Sequence, residues 1–241
     1  MPSRPIVISL GGSMVAPKQG IDVRYLSAFR KLVLREVAKG SRFILVVGGG
    51  STARAYQRAA SAVVPLLDED LDWLGIHATR LNAHLLRTIF REVAHPVVVK
   101  NPMRRNVWRT PVLVAAGWKP GRSTDDIAVR LAHRNGARRV INLTDIDAVY
   151  DADPRTHRDA KPLATMTWKA FRAVVGDAWV PGANAPFDPV AARLAERWGI
   201  EAVVAAGHDL VNLGRIFRGT RFRGTLIAEN RAFRIEMEQP L

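Results

Sequence analysis

The sequence predicts an α/β protein, a three-layer α/β/α sandwich around a mainly parallel sheet with a loop-rich second lobe. Three observations carry that expectation. Short apolar runs alternate with amphipathic stretches almost from end to end, the pattern of strands joined through helices. Helix–glycine–strand arrangements recur, as in "DPVAARLAERWGIEAVVAAG". Glycines also recur directly after apolar runs, at the strand ends where open α/β sheets bind their ligands.

Strands are expected at 6–10, 43–47, 96–99, 111–115, 139–143, 201–205 and 224–228. Between the first two, "DVRYLSAFRKLVLREVAK" sets Leu26, Phe29, Leu32, Val33 and Val37 on one helical face. A second helix, over 74–94, contains "HATRLNAHLLRTIFREVA" and precedes the strand signal "HPVVV". The apolar faces of both helices suit core packing and pairing between subunits equally well. "STDDIAVRLAHRNGARRVINL" opens on a Ser/Thr cap with acids in the first turn and closes at Gly136. Residues 144–184 read as an irregular lobe. The expected organisation is one unit over 1–241: lobes at about 1–143 and 144–228, then a tail over 229–241.

Composition narrows the class of function. There is no cysteine, which excludes disulfides and thiolate metal sites. No apolar run reaches the roughly 20 residues that span a bilayer, and no signal-peptide pattern opens the chain, so a cytoplasmic protein is expected. With 36 Lys and Arg against 22 acids, the net charge is +14. The basic residues are spread along the chain without a block or an aromatic-interleaved stretch. This reads as a solvated surface that attracts small anionic substrates rather than nucleic acid. The six histidines are dispersed, with no metal-ligand or triad spacing.

The glycine turns carry the functional signal. "LVVGGGSTARAYQRAA" passes from an apolar run through Gly48, Gly49 and Gly50 to a helix; "VISLGGS" and "VLVAAGWKPGRSTDD" repeat the theme. Glycine admits positive φ and close ligand approach, and a helix N-terminus adds unpaired N–H groups suited to phosphate. One such run also fits a tight strand–helix turn. Three of them point to several backbone cradles for phosphate. Neither G-x-x-x-x-G-K-[ST] nor a strand-linked G-x-G-x-x-G is present, so the site belongs to another architecture.

"GGS" after the first strand, "VVGGGSTARAY", "DWLGIHATRLNA", "GWKPGRSTDDIA", "LTDIDAVYDADPR" and "FDPVAARLAERWGI" follow one another in the order of the amino acid kinase superfamily. Over roughly residues 5–228 the chain resembles its archaeal-type uridylate (UMP) kinases most. The resemblance implies Mg2+-dependent transfer of the ATP γ-phosphoryl group to UMP, in a cytoplasmic homo-hexamer. It implies backbone donors at Gly12, Ser13, Gly49 and Gly50, with Gly49 at the UMP phosphate and Gly50 and Arg54 nearer ATP. Asp72 would accept from the UMP ribose hydroxyls. Trp118, Lys119, Pro120, Gly121, Arg122, Ser123 and Thr124 would form the uridylate loop, Thr124 donating to the acceptor phosphate. Asp125 would organise catalytic groups, although an acid there also suits a helix start. Thr144, Asp145, Tyr150 and Asp153 would surround the adenosine, and no protein metal ligand is implied. Arg80 and Asn82 line either the same pocket or a subunit contact.

Three residues depart from the family pattern. Asp145 stands for the usual Asn and Ala148 for the usual Gly. Ser9 stands where many members carry a lysine that offsets phosphoryl charge. Lys18, Lys119 or an arginine is left to substitute, and Lys161 lies in a region that approaches ATP. The alternatives are a kinase of the same fold with another acceptor, or a non-catalytic protein that binds or stores nucleotides or anions.

Overall fold

The computed structural model describes residues 4–104, 107–152, 156–176 and 185–229. Its elements run β1 (Ile6–Leu10), α1 (Gly12–Val15), α2 (Val23–Ala38), β2 (Phe43–Val47), α3 (Gly50–Ser61), α4 (Asp68–Ile89) and β3 (Val112–Ala115). Then follow α5 (Thr124–Arg134), β4 (Arg139–Thr144), β5 (Val149–Tyr150), β6 (Pro162–Leu163), β7 (Thr165–Met166) and α6 (Trp168–Val175). α7 (Pro189–Arg197), β8 (Glu201–Ala206), α8 (Leu210–Arg218) and β9 (Thr225–Ile227) complete them.

Seven strands form one sheet in the order β3-β2-β1-β4-β8-β9-β7, and β5 pairs with β6 apart from it. The first five in that order are mutually parallel, and β9 runs antiparallel to β8. Chain order reverses direction at β1, between β2 and β4, which is the switch point where such sheets open a crevice. Register makes the strand ends level: Leu10 lies opposite both Val47 and Leu143.

The strands are apolar on both faces because helices cover both. Side-chain alternation sorts them into two cores. Ile8, Leu10, Leu45 and Val47 pack with Leu26, Phe29 and Val33 of α2, Leu86 of α4 and Leu213 of α8. Val7, Ile44 and Val46 pack with Ile127 and Leu131 of α5, Phe171 of α6 and Ala191 of α7. Ser9 shares Val7's parity and therefore faces the α5 layer. The apolar face of α2 is thus core. N-caps start the helices: Ser123, the cap expected from sequence, and Asp22, Asp188 and Asp209 each accept from a first-turn N–H.

Three expectations are corrected. Residues 96–99 form no strand; only Ala94 and Val99 bridge β3, at Val112 and Ala115. Pro96 offers no donor to the ladder, and Val97 turns outward, 64% exposed. The helix expected at 74–94 starts earlier and ends sooner, spanning Asp68–Ile89. Asp68, Glu69 and Asp70 fill its first turn, and Asp70 accepts the Leu67 N–H at 3.2 Å. The regular elements β5, β6, β7 and α6 lie within the stretch read as irregular.

Phe90 is fully buried, edge-on to Phe29 with ring centroids 6.3 Å apart. Phe90→Ala is expected to lower stability by about 3–5 kcal/mol, measured as a shift in urea midpoint.

Candidate active site

The parallel strands β1, β2, β3 and β8 each run into a glycine at their carboxyl ends, at Gly11, Gly48, Gly117 and Gly207. The first two turns touch backbone to backbone. A Cβ on Gly12 would lie 2.6 Å from both Gly48 C and Gly50 Cα; one on Gly50 would lie 2.6 Å from Gly12 C and 2.8 Å from Ala16 O. Gly50 also has φ +62°, so its glycine is required twice over. The contact is fastened by Gly11 N–H to Leu143 O (2.8 Å), Gly48 N–H to Leu10 O (2.9 Å) and Ser51 N–H to Ala16 O (2.8 Å). Among the described residues, the N–H groups of Gly12, Ser13, Gly49 and Gly50 donate to no backbone carbonyl. The structure therefore brings these four predicted residues together, with Gly49 and Gly50 at the positive end of α3. Arg54 is exposed on α3, one turn beyond Gly50. The turn after β8 joins the same edge: a Cβ on Gly207 would come 2.7 Å from Met14 Cγ of α1.

Helix α4 holds the loop after β3. The Thr79 hydroxyl accepts the Gly117 N–H at 2.7 Å, and Arg80 donates to Trp118 O at 3.1 Å. Asp72 Oδ2 accepts the Gly121 N–H at 2.6 Å, a charge-assisted bond. Lys119 Nζ lies 4.7 Å from the Trp118 ring centroid. Pro120 sits between these anchors. On the far side Ser123 caps α5, which begins at Thr124. α4 also reaches the second glycine turn, where Asn82 Nδ2 donates to Gly48 O and Gly49 O.

Beneath the cradle lies a buried acidic network. Ser9, 2% exposed, donates its hydroxyl to Asp125 Oδ1 at 2.6 Å. Asp125 Oδ2 accepts the Asp188 N–H at 3.0 Å. Asp125 thus ties the end of β1 to the start of α7, and Ser9 meets it where the family pattern puts a lysine. Asp126, fully buried, is held by Arg130 through Nε–Oδ2 (2.7 Å) and Nη2–Oδ1 (3.1 Å), with Arg122 Nη1 at 3.5 Å. Asp188 Oδ1 accepts the Ala191 N–H at 2.6 Å, and its Oδ2 is buried as well. Burial raises the Asp125 carboxyl above its ordinary range, with Asp126 adding to it against the bonds from Ser9 and Asp188. Asp188 is pushed up to about 7, first by burial and then by Asp125 and Asp126, against the Ala191 N–H and Ser123 hydroxyl.

At the end of β4 and after it, Thr144 Oγ1 donates to Asp145 Oδ1 at 3.0 Å, and the Tyr150 hydroxyl to Asp147 Oδ1 at 2.8 Å. Burial and then Asp147 raise the Tyr150 pKa. Asp153 lies outside the described residues. Ala148 has no positive φ, so its departure from glycine carries no backbone strain. Sequence reasoning flagged Ser9 only as a missing lysine and assigned Asp188 nothing. Asp188–Pro189 is a strong helix-start signal, which conceals the carboxylate's second setting.

The chain matches the amino acid kinase family over residues 4–206. It is 39% identical over 229 residues to the uridylate kinase of Methanospirillum hungatei, covering 93% of this chain and 95% of that one. Over 235 residues it is 36% identical to the uridylate kinase of Hyperthermus butylicus, covering 94% and 99%. The crystal structure of uridylate kinase from Archaeoglobus fulgidus superposes with a TM-score of 0.77 at 31% identity, covering 93% and 100%. An aspartate kinase from Synechocystis, at 21% identity and a TM-score of 0.70, shares the fold over 93% of this chain and 40% of its own.

The raised Asp188 pKa sets a pH dependence. The folded chain keeps a proton that the unfolded chain releases near pH 4. The contribution is therefore full below pH 4, declines by at most about 1.4 kcal/mol per pH unit up to about 7, and is flat above. Asp188→Asn retains the α7 cap without the charge. Its Tm is expected to gain on wild type progressively between pH 5 and 7; a constant difference across that range would contradict the assignment.

Proposed function

The chain belongs to the amino acid kinase family, and from that footing we propose that it is a UMP kinase. It transfers the γ-phosphoryl group of MgATP directly to a phosphate oxygen of UMP, giving UDP and ADP. The attacking oxygen forms the new P–O bond as the bond to ADP breaks, with no covalent enzyme intermediate. The observation that carries this reading is the set of four N–H groups without backbone partners, on two turns in van der Waals contact. Phosphoryl transfer asks a protein chiefly to align donor and acceptor and to stabilise charge on the moving group. Two adjoining cradles do both.

In this reading Gly49 holds the acceptor phosphate with Thr124, while Gly12, Ser13 and Gly50 serve the transferring group. Arg54 supplies the mobile positive charge. That role matters more here because Ser9 brings none and its partner Asp125 already accepts two hydrogen bonds. Asp125 then acts by locking β1 to α7 across the cradle. Asp72 and the 118–124 loop hold the uridine, and Thr144, Asp145, Tyr150 and Asp153 the adenosine, dividing the chain into acceptor and ATP lobes near residue 143. Among the described residues no group of three His, Asp or Glu side chains is placed to hold a metal. Mg2+ would arrive with ATP, its ligands mostly phosphate oxygens and water, where it would neutralise phosphate charge.

The remaining proposals concern setting. No helix among the described residues is long and apolar enough to cross a membrane, and the proposed setting is the cytoplasm. Exposed Tyr56, Leu67, Trp73 and Leu81 on and between α3 and α4 support self-association, for which the family resemblance suggests a homo-hexamer.

A coupled assay for ADP tests the function. Mg2+-dependent turnover is expected with UMP as acceptor, far exceeding that with carboxylate acceptors; ATP binding without UMP turnover would overturn the reading. Arg54→Ala is expected to lower kcat by about 100-fold or more. Asp72→Asn is expected to raise the KM for UMP by about tenfold, the effect of one charge-assisted hydrogen bond.

A further inference from the structure

Asn82 is 2% exposed on α4, packed behind the glycine turn. Its amide donates to two consecutive carbonyls, Gly48 O at 2.9 Å and Gly49 O at 3.2 Å. Both partners are acceptors, so only a donor satisfies them; a carboxylate in the same place would oppose them.

The geometry of the peptide bond gives this contact a consequence at the other side of the turn. No cis peptide occurs among the described residues, and in a trans peptide the C=O and the following N–H point in opposite directions. Drawing Gly48 O towards α4 aims the Gly49 N–H away from it. Drawing Gly49 O towards α4 does the same for the Gly50 N–H. These are two of the four N–H groups without a backbone carbonyl. Glycine makes such control necessary: these peptides lack side chains to restrict them and rotate freely unless pinned. The Gly49 carbonyl has one other tie, the Ala53 N–H at 3.3 Å.

We propose that Asn82 is a positioning residue for phosphoryl transfer. By holding both carbonyls of the glycine turn, it aims the Gly49 and Gly50 N–H groups at the acceptor and transferring phosphates. It touches no substrate itself. The inference rests on the kinase reading above and deepens it, since it assigns phosphate recognition to a residue behind the site.

The test compares wild type with Asn82→Asp, Asn82→Ala and Asn82→Ser, each well below its own Tm. Calorimetry measures UMP against uridine, and steady-state assays measure kcat and KM. In Asn82→Asp and Asn82→Ala the preference for UMP over uridine is expected to fall at least tenfold, with uridine affinity within twofold of wild type. Their kcat is expected to fall about 30-fold, less than the roughly 100-fold or more of removing a donor outright because the N–H groups remain and are only misaimed, while the KM for ATP changes less than threefold. Asn82→Ser, which keeps one hydroxyl donor, is expected to recover part of both losses. Equal weakening of UMP and uridine, or wild-type kcat in Asn82→Asp, would overturn the inference. Absence of wild-type turnover with UMP would sink the kinase reading alone. Asn82 would then be judged by pyrophosphate affinity: a tenfold loss in Asn82→Asp supports its role, and an unchanged value ends it.

Discussion

Everything at the catalytic edge depends on the approach of two backbones, Gly12 and the Gly48–Gly50 turn. They meet because Leu10 and Val47 are register partners on adjacent parallel strands, so the chain leaves both strands at one level. A single β-carbon at Gly12 or Gly50 would force the turns apart. The four N–H groups would then no longer share one space. The contact costs conformational entropy in four glycines, and the packed parallel sheet below offsets it.

The surroundings work as two braces on that contact. On one side α4 reaches the glycine turn through Asn82 and the loop after β3 through Asp72, Thr79 and Arg80. One rigid helix therefore sets the distance between the phosphate cradle and the proposed uridine loop. On the other side Ser9, Asp125 and Asp188 join β1, α5 and α7. This second brace is costly, because it gathers carboxylates out of water. Arg130 and Arg122 compensate Asp126, while Asp188 meets the cost by holding its proton near neutral pH.

Replacing a lysine by Ser9 changes the character of the site more than its shape. A lysine in place of Ser9 would bring a positive charge to Asp125. Ser9 satisfies Asp125 with a neutral hydroxyl, so Asp125 becomes a structural tie. In the proposed mechanism the positive charge comes from outside the core, from Arg54, exposed near the start of α3.

Strands β1 and β2 were legible to the residue, because parallel strands buried on both faces read as unbroken apolar runs. The capped helices α5 and α7 were legible too, since Ser123, Asp188 and the closing glycines act locally. β5, β6 and β7, at two residues each, carry no periodic signal and exist only through partners elsewhere. The glycine turns suggested a phosphate cradle from the sequence alone, and their composition permits the backbone approach. That the turns converge, that Ser9 faces Asp125, and that Asn82 grips the turn were decided by tertiary structure. Each depends on register and on which face of a strand or helix a side chain occupies across 33 to 116 residues of sequence. Local chemistry writes the elements and their ends, but only close packing of distant segments determines which donors face one another.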